Sequence, residues 1–301
     1  MAHITAGDLL PIFRYPNNDG SGTPIYYGDI AEGGKITPTD TCNPYMSWRA
    51  NDKRRFSKTN YVTRQMDAGF QAIYEVRDLD NWAMPFGLAG ASHHGTDGHA
   101  SMHSYLVFVK STTTGINRGR KYCHCATDQF AVSADEPGGI VKFEETVLAG
   151  YAEETDNTAS AQVPSGGAAV QWLGGATITG TDNTTTTIYP QSFKLSISNN
   201  VERVRIPGTA KAITGDFIFG KMDCTLDLDV WMEDLGYMFD AQNNDKGIDS
   251  ITLRLGIDHA EDVKLNGVVW MDSNPDLVQD KQRQTLHFRG TYISVTAVTQ
   301  S

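Results

Sequence analysis

The sequence predicts a mainly β protein made of two similar units in tandem, each a β-sandwich or barrel with a short flanking helix. Strand-like alternation of apolar and polar residues recurs along the chain, and Gly, Asn and Asp separate the alternating runs. SFKLSIS at 192–198 and ITLRL at 251–255 alternate in this way, and YLVFV at 105–109 is typical of a buried strand. A repeated order of elements predicts the duplication.

Two short segments depart from the strand pattern, and we expect each to form a helix. They are LDNWAMPFGLAGA, from Leu79, and LDVWMEDLGYMFDA, from Leu228. Asp80 and Asp229 stand in the N-cap position, which favours the start of a helix. The apolar residues at helical spacing, expected to form the helix core, are Trp82 and Phe86 in the first segment and Trp231 and Leu235 in the second.

The two segments match each other at one constant spacing. The matched residues are Leu79, Asp80, Trp82 and Gly87, which recur as Leu228, Asp229, Trp231 and Gly236. A strand precedes each segment, and a polar loop, a strand and a hairpin-like pair follow it. We interpret this order as a direct tandem duplication; the alternative is one irregular β-domain with two similar helices.

The repeat predicts four regions. Residues 1–65 form an N-terminal arm with loops that could contribute strands to the first unit. Residues 66–154 form the first unit, and residues 191–301 form the second. Residues 155–190, rich in Thr, Gly and Ser, are expected to be a linker or a long exposed loop.

Charge and hydropathy restrict the function classes. The formal net charge is −11 and the isoelectric point about 5.1, which argues against a protein that grips nucleic-acid phosphates. No apolar run approaches the roughly 18 residues of a membrane span. MAHITAGDLLPIFRYP lacks a basic region followed by an apolar core, so we expect no secretory signal and assembly in a cytoplasm.

The stretch ASHHGTDGHASMH, residues 91–103, is the strongest candidate for chemistry. Imidazole and thiolate groups bind zinc, and the candidate ligands are His93, His94, His99, Cys123 and Cys125. On one continuous strand the two cysteines would share a face. However, no HExxH spacing occurs, and AQNNDKGIDS, at the matching place in the second unit, contains no His. We therefore expect a solvated loop, reduced thiols, and neither a metal nor another cofactor.

Two enzyme motifs are incomplete. HGTDGHAS at 94–101 is similar to the histidine motif of subtilisin-like proteases, but no GTS motif and no parallel-sheet pattern accompany it. GDFIFGKM, from Gly215, lacks the hydroxyl residue of a phosphate-binding loop because Met222 stands there. The acidic pair Glu144 and Glu145 is expected to be solvated, with its members on opposite faces of a strand. We predict no catalytic activity.

The second half resembles the tail tube proteins of long-tailed, non-contractile bacteriophages. SFKLSISNN at 192–200 matches the pattern SFxLxIxNN, and ITGDFIFGKMD at 213–223 matches the pattern ITGxFxxxxxD that follows it. In the first half, FAVSADEPGGIVKFEETVLAG is similar to a hairpin of the same family. The resemblance extends over most of residues 65–296.

This resemblance implies a structural protein of the virion tail, assembled in the host cytoplasm, whose rings stack into a hollow tube. Rings of the family usually have sixfold symmetry, so a duplicated subunit would need three chains per ring; six chains are the alternative. The implied partners are copies of the chain, a tape-measure protein and other tail proteins, without a membrane. DNA would pass without specific binding, and Asp227 and Asp229, which share one strand face, are candidates for an acidic lumen wall.

Three other functions stay open at this point. Another tail component with the same fold, such as a terminator or a distal tail ring, would have the same composition. Scattered Trp and Tyr residues are compatible with a carbohydrate-binding β-sandwich. A metal-dependent enzyme would use the His-rich stretch.

Overall fold

The structure is a computed structural model. It describes residues 11–15, 19–22, 25–30, 35–39, 41–46, 61–75, 92–94, 103–110, 117–155, 170–205, 214–231, 247–255, 261–278 and 281–297. The described residues form twenty β-strands and no helix. In chain order the strands are β1 Pro11–Tyr15, β2 Ile25–Ile30, β3 Ile36–Pro38, β4 Thr41–Met46, β5 Tyr61–Glu75, β6 Ser92–His94, β7 His103–Lys110, β8 Asn117–Ala134, β9 Lys142–Thr155, β10 Trp172–Gly180, β11 Thr185–Ile188, β12 Ser192–Ser198, β13 Val201–Arg205, β14 Thr214–Phe219, β15 Asp223–Trp231, β16 Ile248–Leu255, β17 Glu261–Asn266, β18 Val269–Val278, β19 Lys281–Gly290 and β20 Tyr292–Ala297.

The larger sheet has 12 strands, and every pairing in it is antiparallel. Its main order is β18-β19-β15-β12-β8-β7-β1-β2-β5-β3, while β9 pairs with both β5 and β8, and β4 pairs with β5. The 18-residue strand β8 pairs with β7 through its first half and with β12 through its second half. Strand β8 therefore joins the two halves of the chain within one sheet.

A six-stranded sheet, with the order β11-β10-β16-β17-β20-β6, packs on the larger one. The two sheets share one hydrophobic core, in which the rings of Trp172 on β10 and Phe193 on β12 meet edge to face at 4.9 Å. A separate two-stranded sheet contains β13 and β14. The predicted mainly β class is confirmed.

Alternation in the sequence becomes alternation of burial in the strands. Phe193, Leu195 and Ile197 of β12 are buried, whereas the side chains between them are more exposed. In β16, the leucines Leu253 and Leu255 are buried and Arg254 between them is exposed. Because successive side chains of a strand point to opposite faces, one face of each strand supplies the core and the other stays polar.

The segment predicted as a linker is partly a core element. Strands β10 and β11 lie within residues 155–190, and Trp172 has no exposed surface. Thr-rich composition, which suggested a loop, also favours strands because β-branched residues pack well on a pleated surface. The N-terminal region 1–65 likewise contributes β1 to β4 and the start of β5.

The second predicted helix does not begin at Asp229. Leu228, Asp229 and Trp231 belong to β15, which pairs with β12 on one side and β19 on the other. Trp231 ends this strand, and the Arg283 guanidinium lies 4.8 Å from the centre of its indole ring. The helical spacing around Trp231 predicted the wrong structure, because backbone hydrogen bonds from β15 to the strands on both sides outweigh a local periodicity. Trp82, Phe86 and Leu235 lie outside the described residues.

Candidate functional site

Part of the His-rich stretch extends a sheet. Strand β6 pairs antiparallel with β20, so that Ser92 stands opposite Thr296 and His94 opposite Ser294. These three residues form a strand and not the predicted loop, because their backbone joins the edge of the six-stranded sheet. The side chains of His93 and His94, and the whole of His99, lie outside the described residues.

Cys123 and Cys125 are both fully buried but occupy different environments. Between them His124 has a φ of 51°, and the register of β8 against β7 shifts at this point. Cys125 belongs to the hydrophobic core, whereas Cys123 Sγ lies 3.6 Å from the carbonyl oxygen of Asp19. The expectation of one shared face is wrong because a bulge interrupts the alternation.

The Cys123 thiol also interacts with Tyr151. Their hydrogen bond, together with burial, raises the pKa of the Tyr151 hydroxyl above its ordinary value. Among the residues that the structure describes, no group of three or more His, Cys, Asp and Glu side chains could hold a metal ion.

Asp227 and Asp229 lie on the polar face of β15, opposite the core residues Leu226 and Leu228. Asp227 Oδ1 is 2.7 Å from His287 Nδ1. The Asp229 carboxylate accepts hydrogen bonds from Ser192 Oγ at 2.6 Å and from Thr285 Oγ1 at 2.5 Å. Both carboxylates are therefore held by neighbours on β12 and β19.

The polar face of the larger sheet carries both signs of charge. One row of directly paired residues crosses six strands from β5 to β19: Glu75, Lys142, Ser133, Lys194, Asp227 and His287. Ion pairs also connect neighbouring rows: Lys194 Nζ lies 3.0 Å from Glu144 Oε2, and Arg289 Nε lies 2.8 Å from Asp223 Oδ1. The face is consequently compensated in charge rather than uniformly acidic.

The two asparagines of the SFxLxIxNN pattern hold the junction between the two halves. Asn199 donates from Nδ2 to the Thr127 carbonyl oxygen and from its backbone N–H to that of Asp128, both at 2.8 Å. Asn200 has a φ of 48°, a left-handed conformation that Asn tolerates better than most residues, and its Nδ2 donates to the Lys221 carbonyl oxygen at 2.7 Å. These residues turn the chain out of β12 and into β13.

Asp128, on the other side of this junction, is the extra residue of a bulge in β8. The register of β8 against β9 shifts between Thr127 and Gln129. Asp128 Oδ1 accepts the backbone N–H of Val201, the first residue of β13, at 2.8 Å. Sequence analysis did not single out Asp128, since a bulge residue has no composition signal of its own.

Arg203 was also missed. Its two terminal nitrogens donate to the carbonyl oxygens of Ala149 at 2.8 Å and of Ala68 at 2.6 Å. Ala68 and Ala149 form the last pair of the β5–β9 ladder, where the two strands separate. One arginine of the second half therefore bridges two strands of the first.

Glu145 is the third residue that sequence reasoning misjudged. Glu144 is half-exposed on the polar face, as predicted for a solvated residue, but Glu145 is only 2% exposed. The Glu145 carboxylate accepts hydrogen bonds from Thr127 Oγ1 at 2.7 Å and from the Tyr74 hydroxyl at 3.0 Å. Its partners lie on β8 and β5, so no local sequence signal marks it as buried.

Three strands of the larger sheet have a partner on one side only among the described strands. They are β18, which pairs with β19, and β3 and β4, which both pair with β5. Val269 and Met271 on β18 are among the most exposed large apolar side chains that the structure describes, at 62% and 54%. An open strand edge with exposed apolar residues is a surface for association with another chain.

Open strand edges on an antiparallel β-sandwich favour association with further chains. The family model described as phage tail tube protein matches residues 33–290. Since this match covers most of the chain, the protein belongs to the phage tail tube family and is a structural, non-enzymatic tail tube subunit of the virion tail. No curated protein matches the sequence. In the described part of the chain there is no helix with the length and apolar character needed to cross a membrane.

Proposed function

We propose that the chain is a tandem duplication of a tube unit, that three chains close one ring of six units, and that stacked rings form the tube. The observation that carries this proposal is the agreement between the strand pairings of the two halves. DNA would pass through the lumen of the tube, and a tape-measure protein and other tail proteins would be further partners.

The pairings correspond strand by strand with one exception: β2 also pairs with β5, and no pairing between the described residues joins β11 to β15. In the first half β1 pairs with β2 and β7, β5 pairs with β3, β4 and β9, and β8 pairs with β7 and β9. In the second half the same relations join β10 with β11 and β16, β15 with β12 and β19, β14 with β13, β17 with β16 and β20, and β18 with β19. The single strands β5, β8 and β9 thus correspond to β14–β15, β17–β18 and β19–β20.

A shared irregularity strengthens the correspondence. Asp128 is the extra residue of the bulge in β8, and Met271 is the extra residue of a bulge in β18, between Trp270 and Asp272. A bulge is a local feature that a strand does not need in order to pair, so its recurrence favours common descent of the two halves. This register aligns Leu228 with Ala72 of β5 and not with Leu79, so the strand pairings support the duplication but not the constant spacing of the helix-like segments.

The correspondence also supports a mode of ring closure. The order β8-β9-β5-β3 in the first half corresponds to β18-β19-β15-β12 in the second, and the two groups are joined by the pairing of β8 with β12. Strands β18 and β3, which have a partner on one side only among the described strands, are the counterparts of this joined pair. If β18 of one chain meets β3 of the next as β8 meets β12, the sheet continues around a ring of alternating first and second units.

The polar face of this continuous sheet would line the lumen, because its other face is occupied by the hydrophobic core. Asp227 and Asp229 lie on this polar face, together with lysines and arginines of β9, β12 and β19. The Lys and Arg side chains on this face are close to carboxylates, so few positively charged side chains would be available to bind the phosphates of DNA. Such a wall would let DNA pass without retaining it.

Electron microscopy of the purified chain across a concentration series tests the ring. We expect rings that stack into hollow tubes, with three chains per ring by mass measurement; six chains per ring would contradict the pseudo-sixfold arrangement. The lumen is tested with Asp227→Cys. The thiol should react with a bulky polyethylene-glycol maleimide in monomers and be protected in tubes, while Thr187→Cys on exposed β11 serves as the comparison. Equal labelling of Asp227→Cys in both states would contradict the lumen assignment.

A further inference from the structure

We propose that β18 of one chain pairs with β3 of a second copy in the register of the internal joint, the pairing of β8 with β12, so that Pro275 stands opposite Pro38. At this one rung, a pair of directly opposed residues, the joint between chains lacks both backbone hydrogen bonds that the internal joint has. This inference rests on the ring proposed above and specifies how two copies meet. It is carried by the strand registers and by the direction of the backbone groups.

The strand pairings give Pro38 a counterpart in the internal joint. Pro38 pairs with Phe70 on β5 as Leu195 pairs with Leu226 on β15. Phe70 and Leu226 correspond, since their partners on β9 and β19 both stand opposite the residue that precedes a bulge. Pro38 therefore takes the position that Leu195 has on β12.

Pro275 has a counterpart in the same joint. It lies four residues after Met271, the extra residue of the bulge in β18, and Val132 lies four residues after Asp128, the extra residue of the bulge in β8. Val132 and Leu195 pair directly with each other. The counterparts of the two prolines are thus the two members of one rung.

The internal rung is a hydrogen-bonded one. In the same ladder the Asn199 N–H donates to the Asp128 carbonyl oxygen at 2.8 Å. Hydrogen-bonded rungs of an antiparallel ladder alternate with rungs that have no such bonds. Val132 and Leu195 each lie four residues from the Asp128–Asn199 rung, so their backbone N–H and C=O groups bond to each other. Both residues are only 1% exposed.

The backbone of Pro38 is directed away from β5. The Thr39 N–H donates to the Gly69 carbonyl oxygen at 2.9 Å. The Ile73 N–H donates to the Lys35 carbonyl oxygen at 3.1 Å. Since these rungs bond β3 to β5, the residue next to Thr39 points its nitrogen and carbonyl oxygen to the other side of β3. Pro38 is exposed there, among the residues that the structure describes.

Pro275 has the same direction by its correspondence with Val132, and a proline within a sheet has its nitrogen on the open side of an edge strand. In the proposed joint the two prolines face each other without an N–H group. The rungs on either side keep their hydrogen bonds. Any other register would place the prolines at two different rungs and interrupt both, so this register confines the loss to one.

The order of residue types agrees with the same register. Leu277 would stand opposite Ile36, so that apolar residues meet at the hydrogen-bonded rung beside the prolines. Asp276 would stand opposite Thr37, so that polar residues meet at the rung between. A slip by one residue would set apolar residues of one strand against polar residues of the other.

Disulfide trapping tests the register. Thr37→Cys and Asp276→Cys are combined in a Cys42→Ser background, in which the other native cysteines are buried, and assembled material is oxidised mildly. Opposed residues of an unbonded rung are close enough for a disulfide, whereas residues two positions apart, at about 7–8 Å, are not. We expect at least about tenfold more covalent dimer and trimer than in the matched variant with Thr37→Cys and Asn274→Cys.

The other outcomes separate this inference from the ring. Cross-linking of the 37–274 pair instead would show a slipped register and overturn the proline rung. Rings without either cross-link would show that β3 and β18 do not meet, while a ring of another closure stands. If the unmodified chain forms no rings, the proposed function fails and this inference fails with it.

A second experiment restores the missing donors. Pro38→Leu with Pro275→Val installs the residues of the internal joint, and this variant should form rings at a concentration about tenfold lower than the unmodified chain. Sedimentation measures the concentration, and electron microscopy identifies the product. Pro137→Val, in the exposed turn between β8 and β9, removes a proline away from the joint and should leave the concentration unchanged. Unchanged or weaker ring formation by the double variant, with a melting temperature that shows a folded chain, would overturn the proposal.

Discussion

The guanidinium of Arg203 donates a hydrogen bond to the Ala68 carbonyl oxygen at 2.6 Å, across 135 positions of sequence. A second nitrogen of the same group binds Ala149, at the point where β5 and β9 separate. A planar fork is suited to two carbonyl oxygens on neighbouring strands. Arg203 thus ties the β13–β14 hairpin of the second half to the sheet of the first.

Arg203→Lys should lower the free energy of unfolding by about 1–3 kcal/mol, because an ammonium group on a flexible stem cannot replace both arms of the fork. Urea unfolding of the unassembled chain measures this change. Arg289→Lys is the matched comparison, since Arg289 makes a half-exposed ion pair with Asp223, and its loss should be at most about 1 kcal/mol. Equal losses for the two variants would contradict the bridging role.

Gly69→Ala should destabilise the chain by about 1–3 kcal/mol through overpacking. A Cβ at Gly69 would lie 2.4 Å from the Val147 carbonyl oxygen and 2.9 Å from Thr39 Oγ1. At Gly175 a Cβ would meet no atom within 4 Å, so Gly175→Ala should be neutral or slightly stabilising. Thermal melting of the two variants side by side checks the prediction, and a harmless Gly69→Ala would refute the close strand approach.

Glu145→Leu should cost about 2–4 kcal/mol, because Tyr74 and Thr127 would lose an acceptor inside the core. Replacement of all three, with Tyr74→Phe and Thr127→Val added, should recover much of that stability. Glu144→Gln, on the polar face beside Lys194, is the surface comparison and should change stability by at most about 1 kcal/mol. A triple variant no more stable than Glu145→Leu alone would argue against this account.

Stability should fall at alkaline pH through Cys224. Burial, with a smaller effect of the Asp223 carboxylate, raises the pKa of this thiol from 9.0 to about 12. Its folded pKa lies above the unfolded one, so the neutral thiol contributes fully below about pH 9, and the contribution is lost as pH rises toward the folded value. The melting temperature should decline from about pH 9 upward, and less steeply in Cys224→Ala.

The pH experiment also has an internal check. Burial raises the pKa of Tyr15, and the bond to Cys123 raises that of Tyr151, so part of the decline should remain in Cys224→Ala. Identical slopes in the two proteins would contradict the contribution of Cys224. At about pH 8, iodoacetamide should leave Cys224 unmodified in the folded chain and alkylate it after denaturation.

The local sequence pattern predicted where strands form, but it gave little information about which strands pair and which side chains surround a residue. The alternation of β12 determined which residues face the core, because a strand points successive side chains to opposite faces. It also placed Glu144 and Glu145 on opposite faces, but could not show that Tyr74 and Thr127 would surround Glu145. Likewise, helical spacing at Trp231 gave no information about the strands that pair with β15.

The sequence by itself determined the mainly β class, the tail tube family and the SFxLxIxNN motif that contains Asn199 and Asn200, since period, composition and short motifs are local properties. Only the tertiary structure decided the bulges at Asp128 and Met271, the bridge of Arg203 and the open edges at β3 and β18. Those features depend on which strands meet and in what register. Register arises from contacts between residues far apart in the chain, which no local window of sequence contains.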